Sequence, residues 1–231
     1  MDGRRMVQGE TPHLFTIMIN IQRFVFNMFQ ENSYVVSDDS GECIIIDCGA
    51  FYEEERRAII DYIKTEHLTP KHLVATHGHV DHNFGIDTIY EQYGLQPEIH
   101  PSDEGFITRL NEQAEQFIGY RPQNNYPAVG KHLVDGEELT FGNHTATIIH
   151  TPGHSQGSVC LYLKDEGTMF TGDTLFHLSI GRTDLEGGSM MQIIQSLRHL
   201  AQLPDNTVIL PGHGNQSTIG TELEHNPFMD R

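Results

Sequence analysis

Thr76–His82 reads THGHVDH, which gathers three histidines and an aspartate into six consecutive positions. Imidazoles crowded around one carboxylate repel one another and are costly to bury, so such a cluster points to a cation that repays the cost. The chain has 15 histidines in 231 residues, so crowding alone does not decide between chance and metal. The residues just before the cluster, HLVAT (72–76), read as a short strand. The cluster therefore sits on a strand-to-helix loop, where α/β proteins place their chemistry.

The same arrangement recurs along the chain. His154 lies in TPGHSQGS after the strand-like HTATIIH, Asp173 ends TMFTGD, and His213 follows TVILPG. Four strand ends thus deliver histidines or aspartates from loops rich in glycine, which lets backbone approach a bound ion closely. Imidazole and carboxylate are the donors that suit zinc and related first-row metals. His77, His79, His82, His154 and His213 with Asp81 and Asp173 are too many for one tetrahedral ion. They suit two divalent ions about 3.5–4 Å apart, sharing one carboxylate and one water. His13, His67, His72, His100, His132, His144, His150, His177, His199 and His225 read as packed or solvated histidines.

Patterning around these loops sets the fold class. From Thr16 to Asp47 the chain reads as strands, closing with the buried run CIIID, and SDDSG forms a hairpin connection between two of them. EEERRAIIDYIKTEHL predicts a helix that buries Ala58, Ile59, Tyr62, Ile63 and His67, with Pro70 as its stop. QPEIH reads as a strand, SDEGFITRLNEQAEQF as one helix and IGYRPQNNYPAVG as a loop. EELTFG, HTATIIH, SVCLYLK and TMFTGD read as strands, followed by a helix over GSMMQIIQSLRHL with an apolar stripe at Met191, Ile194, Leu197 and Leu200. TVILPGHG is a last strand, and TIGTELEHN a short terminal helix. Each half runs strands first, then strand, loop and helix, a pattern that suits two sheets packed face to face with helices outside.

The bulk composition narrows the function. A formal net charge of −18, from 32 acidic against 14 basic residues, repels phosphate backbones and argues against a nucleic-acid partner. No stretch approaches the roughly 18 apolar residues of a membrane span. The N-terminal MDGRRMVQGETPHLFT lacks the apolar core of a signal peptide, so residues 1–17 are expected to be a disordered or non-native leader ahead of one domain over 18–231. Cys43, Cys48 and Cys160 have no paired spacing, which reads as reduced thiols and a cytoplasmic location.

The series H-x-H-x-D-H at His77–His82, TPGHSQGS, TGD and PGHG, in that order, resembles the metallo-β-lactamase superfamily over nearly the whole chain. More narrowly, TGDTLFHLSIGRTDLEGGS, then LPGHG and a terminal HNPF, resembles the short single-domain relatives of glyoxalase II, the hydroxyacylglutathione hydrolases. The resemblance implies an αββα sandwich of two mixed sheets flanked by helices, with the metals at one edge. It implies that His77, His79 and His154 hold one ion, that Asp81, His82 and His213 hold the other, and that Asp173 bridges them. Zinc is the first expectation, and iron or manganese suits the same ligands. Asp47, which ends CIIID, matches the family's first motif and would orient a ligand by hydrogen bond.

The implied activity is hydrolysis of a thioester of the S-2-hydroxyacylglutathione (lactoylglutathione) type, by a hydroxide shared between the ions, with Asp81 and Asp173 as the catalytic carboxylates. Asp81 and His82 argue against a β-lactamase proper, which usually lacks one of these ligands or uses a cysteine there. Arg182 matches a family Arg/Lys that contacts the glycine carboxylate of glutathione, or else pairs with Asp184 or Glu186. Asp184, Asn215 and Gln216 stand where the family often has tyrosines, a departure that bears on glutathione itself. Phe176 is a candidate pocket wall. The alternatives are an iron-dependent persulfide dioxygenase and a lactone or ester hydrolase on the same fold.

Overall fold

The structure, a computed structural model, describes residues 19–230. The expected leader, residues 1–17, lies outside the described residues. Two six-stranded sheets stack face to face. In the first, β1 (Asn20–Phe26), β2 (Glu31–Ser37), β3 (Glu42–Ile46), β4 (Thr69–Val74), β5 (Glu98–Ile99) and β6 (Lys131–His132) lie side by side in chain order. β1 to β3 are antiparallel and β3 to β6 parallel, so the sheet is mixed. The second sheet has the order β14-β13-β10-β9-β8-β7, from β7 (Glu138–Phe141), β8 (His144–His150), β9 (Val159–Leu163), β10 (Thr168–Gly172), β13 (Val208–Pro211) and β14 (Ser217–Thr218). It is also mixed, through the parallel β10–β13 pair. A small hairpin of β11 (Leu175–Phe176) and β12 (Ser179–Ile180) follows β10.

The strand runs with no polar face show why there are four layers. Alternate side chains point to opposite faces of a sheet. In β3, Ile44 and Ile46 face the second sheet while Cys43 and Ile45 face outward helices. In β9, Val159, Leu161 and Leu163 face inward while Cys160 and Tyr162 pack on the other helical layer. Both faces of both sheets are therefore apolar, and each outer face is covered. The helices α1 (Glu53–Thr65), α2 (Ile86–Tyr93), α3 (Glu104–Ile107) and α4 (Leu110–Ile118) cover the first sheet. The second is covered by α5 (Met190–Leu200) and α6 (Ile219–His225). This is the expected αββα sandwich. No helix of the described residues is long and apolar enough to cross a membrane.

Local expectations shift in four places. The α1 face is Ile59, Ile60 and Ile63, whereas Ala58 and His67 are exposed. Pro70 is not a bare stop; it belongs to β4, at the register shift against Cys43. The single helix expected over SDEGFITRLNEQAEQF is broken into a turn at Pro101–Asp103, then α3 and α4. Met191 is 71% exposed, and the buried stripe of α5 runs through Ile193, Leu197 and Leu200.

That last shift is open to measurement. Ile193→Ala should lower unfolding stability by about 2–5 kcal/mol, the range for emptying a buried aliphatic site. Met191→Ala should change it by less than about 0.5 kcal/mol. Urea denaturation of the two variants checks both values, and equal losses would restore the stripe expected from the sequence.

Candidate metal centre

The ligand-bearing loops meet at one edge of the sandwich because the strands that feed them run the same way. β8 and β13 both run parallel in direction to β10, and backbone bonds tie the loops across the sheets: Val159 N–H donates to Thr76 O at 2.9 Å, and Asn32 N–H to Gly212 O at 2.7 Å. Two donor sets result. In one, His79 Nδ1 lies 2.8 Å from His154 Nε2, which lies 3.2 Å from His77 Nε2. In the other, His82 Nε2 lies 3.2 Å from His213 Nε2, and His213 Nε2 is 3.3 Å from Asp81 Oδ2. Asp173 stands between them, with Oδ2 3.6 Å from His154 Nε2 and 3.7 Å from His213 Nε2. All seven residues singled out in the sequence as metal ligands are thus brought together.

Hydrogen bonds behind the rings decide which nitrogens face inward. His82 Nδ1 is 2.8 Å from Asp47 Oδ2, His154 Nδ1 is 2.8 Å from Arg182 O and His213 Nδ1 is 3.1 Å from Phe29 O. Each acceptor takes a ring hydrogen, so each Nε2 turns a lone pair toward the centre. His77 follows the same logic. The Thr76 hydroxyl gives its hydrogen to Asp47 Oδ2 and accepts from His77 Nδ1 at 3.1 Å. Asp47, placed behind the donors as expected, also accepts the Thr76 N–H at 2.7 Å. Nitrogens with lone pairs about 3 Å apart cannot hydrogen-bond to each other, and only a cation between them makes the arrangement favourable.

Electrostatics give the same test of fit. Burial, followed by the neighbouring rings of His82, His154 and His79, holds His77 well below the ordinary imidazole range. Burial and His154 lower His79 to about 4. These rings are neutral, as ligands must be. At the other end burial opposes charge on His82, but Asp173, Asp47 and Asp81 raise it well above its usual value. The carboxylates there demand positive charge. Asp173 is itself held well below the carboxylate range: burial opposes this, and His82, His154 and His213 outweigh burial. Its Oδ1 is buried and lies 3.2 Å from His82 Nε2. At Gly212 an added Cβ would stand 2.5 Å from that oxygen and 2.6 Å from His82 Cε1, so only glycine lets the β13 loop pass. The residues present fit two divalent ions.

Over this floor lies a cavity of 220 Å³ whose other walls are Phe29, Val80, Phe117 and Leu185, with Arg182 at the rim. Arg182 is tied to Asp184 by two bonds, 2.7 and 2.8 Å, and both side chains are largely exposed. Glu186, the other partner expected for it, pairs with Arg109. Phe176 is not among the lining residues; its half-buried ring stands edge-on to His213, 6.1 Å between centroids. The wall is supplied instead by aromatics that the sequence did not single out, Phe29 from the β1–β2 turn and Phe117 from α4. Cys43, Cys48 and Cys160 are free and buried.

Two further buried acids escaped the sequence reading. Glu31, fully buried at the start of β2, lies 3.9 Å from His82 Nδ1 and accepts from Ser33 Oγ. Burial pushes its carboxyl well above the usual range against the pull of His82, and Asp47 adds to the push. Because His82 Nδ1 already gives its hydrogen to Asp47, this group backs the ring rather than holding an ion. Asp103, buried in the turn before α3, accepts from Gly78 and Gly157. No spacing relates either acid to the histidine motifs, and only the packing of β2 and of the 101–107 segment brings them close.

A family model described as "Metallo-beta-lactamase superfamily" matches residues 27–213. The chain is similar to an uncharacterized protein, ML0493, of Mycobacterium leprae (strain TN), at 38% identity over 223 residues, covering 91% of this chain and 98% of that protein. It is similar to Hydroxyacylglutathione hydrolase GloC of Haemophilus influenzae, at 33% identity, covering 92% of this chain and 99% of that one. Among solved structures it is similar to BLEG-1, described as a B3 metallo-beta-lactamase, with a TM-score of 0.82 and 34% identity over 92% of this chain and 99% of that chain. It is also similar to TTHA1623 in a di-iron-bound form, with a TM-score of 0.79 and 32% identity over 90% of this chain and all of that one, 100%.

Asp47 has a positive φ of 57°, a conformation asparagine tolerates. Asp47→Asn should therefore fold, yet lose the acceptor that fixes His82 and Thr76. The expected result is a loss of about 10–100-fold in metal affinity, read by zinc titration against a chelator. Unchanged affinity would mean that His82 needs no support from Asp47.

Proposed function

The chain belongs to the metallo-beta-lactamase superfamily, and from that premise we propose that it is a binuclear metal-dependent hydrolase of thioesters of the S-2-hydroxyacylglutathione type, S-lactoylglutathione among them. The observation that carries this reading is the chemistry of the cavity. Apart from Arg182, every protic side chain lining it (His79, Asp81, His154, Asp173 and His213) belongs to the two donor sets, and the other walls are hydrocarbon. No independent acid is placed to protonate a leaving group. A thiolate, with a conjugate-acid pKa near about 8.5, leaves without one, whereas an alkoxide or amine does not. The similarity to the hydrolase GloC supports the same substrate class.

Bound divalent ions would supply Lewis acidity and a water acidified toward neutral pH. His77, His79 and His154 would hold one, Asp81, His82 and His213 the other, with Asp173 shared. Zinc is the ion proposed first, and the similarity to a di-iron form supports iron in the same positions. The protein's own groups do the rest. Asp81 and Asp173, both on the cavity floor and both held as carboxylates by the neighbouring imidazoles against the effect of burial, would accept hydrogen bonds from the water that adds to the acyl carbon and so orient it. Phe29, Val80, Phe117 and Leu185 exclude solvent from that carbon. Arg182 offers the rim a guanidinium suited to a substrate carboxylate, once Asp184 releases it.

A second reading, β-lactam hydrolysis, has specific support in the similarity to BLEG-1. It ranks lower because the departing nitrogen needs a proton that the walls do not offer. The test is one preparation loaded with zinc and another with iron. Each is assayed on S-lactoylglutathione, a neutral thioester, a lactone and a β-lactam, with oxygen uptake on a persulfide alongside. Thioester cleavage that a chelator abolishes is expected. Asp173→Ala should lower both bound metal and kcat/KM by about 100-fold or more. Full metal and full rate in that variant would refute the shared-carboxylate role, and lactam or persulfide turnover without thioester cleavage would refute the substrate class.

A further inference from the structure

We infer that Asp103, which lies outside both donor sets, is the positioning residue for the His77–His79–His154 set and governs one ion's affinity without governing the other's. The inference rests on the reading that these histidines hold metal, and it is independent of the substrate. Asp103 is fully buried. One oxygen, Oδ2, accepts from Gly78 N at 2.9 Å and from Ser155 Oγ at 2.6 Å; the other, Oδ1, accepts from Gly157 N at 2.7 Å. Gly78 lies between His77 and His79, and Ser155 follows His154. A single carboxyl group therefore bonds both loops of this set and joins the first sheet's loop to the second's.

The surroundings leave these loops little freedom. An added Cβ at Gly157 would stand 2.6 Å from Asp103 Cγ, and one at Gly78 would stand 2.9 Å from Asp103 O and 2.5 Å from Phe106 Cβ. Gln113, from α4, donates to Gly78 O at 3.2 Å and to Phe106 O at 2.9 Å. The Phe106 ring lies edge-on to that of His79, 5.4 Å between centroids. This explains why the expected single helix is broken: a straight helix from Ser102 could not present Asp103, Phe106 and Gln113 to the same loop. The donors of the other set, Asp81, His82 and His213, share no hydrogen bond or ion pair with Asp103 and are backed by Asp47, Phe29 O and Asn27, whose amide donates to Asp81 O at 2.9 Å.

Asp103→Asn tests the assignment, because it keeps size while turning an amide N–H toward backbone donors. Stepwise zinc affinity is read by chelator competition, and cobalt absorption reports the coordination of each step. The unsubstituted protein should bind two ions per chain. In Asp103→Asn one step should weaken about 10–100-fold while the other stays within about threefold. The weakened step should be the one abolished by His79→Ala, and the double variant should be no worse than His79→Ala alone. Ser155→Ala, which removes one of three bonds, should weaken the same step by less, so the idea stays testable if Asp103→Asn fails to fold. Both steps unchanged, or both weakened alike, would overturn it. If the unsubstituted protein binds no ion, the metal reading falls first and this inference with it.

Discussion

The structure depends on lone pairs being made to face one another. Four imidazoles, those of His77, His82, His154 and His213, have their outer nitrogens bonded to acceptors that fix the tautomer, so their inner nitrogens converge without hydrogens between them. A protein gains nothing from such convergence by itself. Each inward lone pair loses water and meets another lone pair, and the carboxylates of Asp81 and Asp173 add like charge. The arrangement becomes favourable only with cations inside it, and this links the loops, the buried acids behind them and the chemistry proposed for the cavity.

The sandwich makes that convergence possible at low conformational cost. Each donor sits just past the end of a strand whose direction is fixed by buried pairing, so loops short enough to be rigid still reach a common point. Both sheets contribute, and the centre therefore lies at their shared edge, where the inter-sheet core ends and solvent can enter. The core that fixes the strands, with Phe170 on β10 against Tyr34 on β2, 5.0 Å between ring centroids, is the same core that fixes Asp173 relative to the β2–β3 side. Stability and site geometry are coupled here through packing rather than through the ligands alone.

Much of this is legible in the sequence because the candidate donors are local: His77, His79, Asp81 and His82 announce themselves within one loop, and the remaining donors follow strands whose apolar runs are plain. What stays hidden is what depends on tertiary approach. Nothing in the sequence marks Glu31 or Asp103 until β2 and the 101–107 segment are seen packed against the motif. Phe29 and Phe117 are unmarked until the cavity forms, while Phe176, the wall expected from the sequence, stands edge-on to His213 outside the cavity. The helix errors share a cause. At Ala58, His67 and Met191 periodicity assigns a face, but the sheet beneath decides which part of that face is covered.

The cavity rim shows where charge and specificity part company. With a net charge of −18 the protein as a whole does not steer anions toward the site. Its rim cation, Arg182, is matched by Asp184, and Arg109, beside the neighbouring pocket under α4, is matched by Glu186. Any anionic group that binds here, the proposed thiol carrier included, would have to win Arg182 by exchange with Asp184. Such an exposed pair is worth roughly 1 kcal/mol or less, so exchange is cheap but brings correspondingly little net affinity. The hydrocarbon walls do not have this limit, since Phe29, Phe117 and Leu185 give up only water when a substrate group covers them. For the thioester proposed as substrate, discrimination would accordingly rest more on the fit of its uncharged part against those walls than on recognition of its carboxylates.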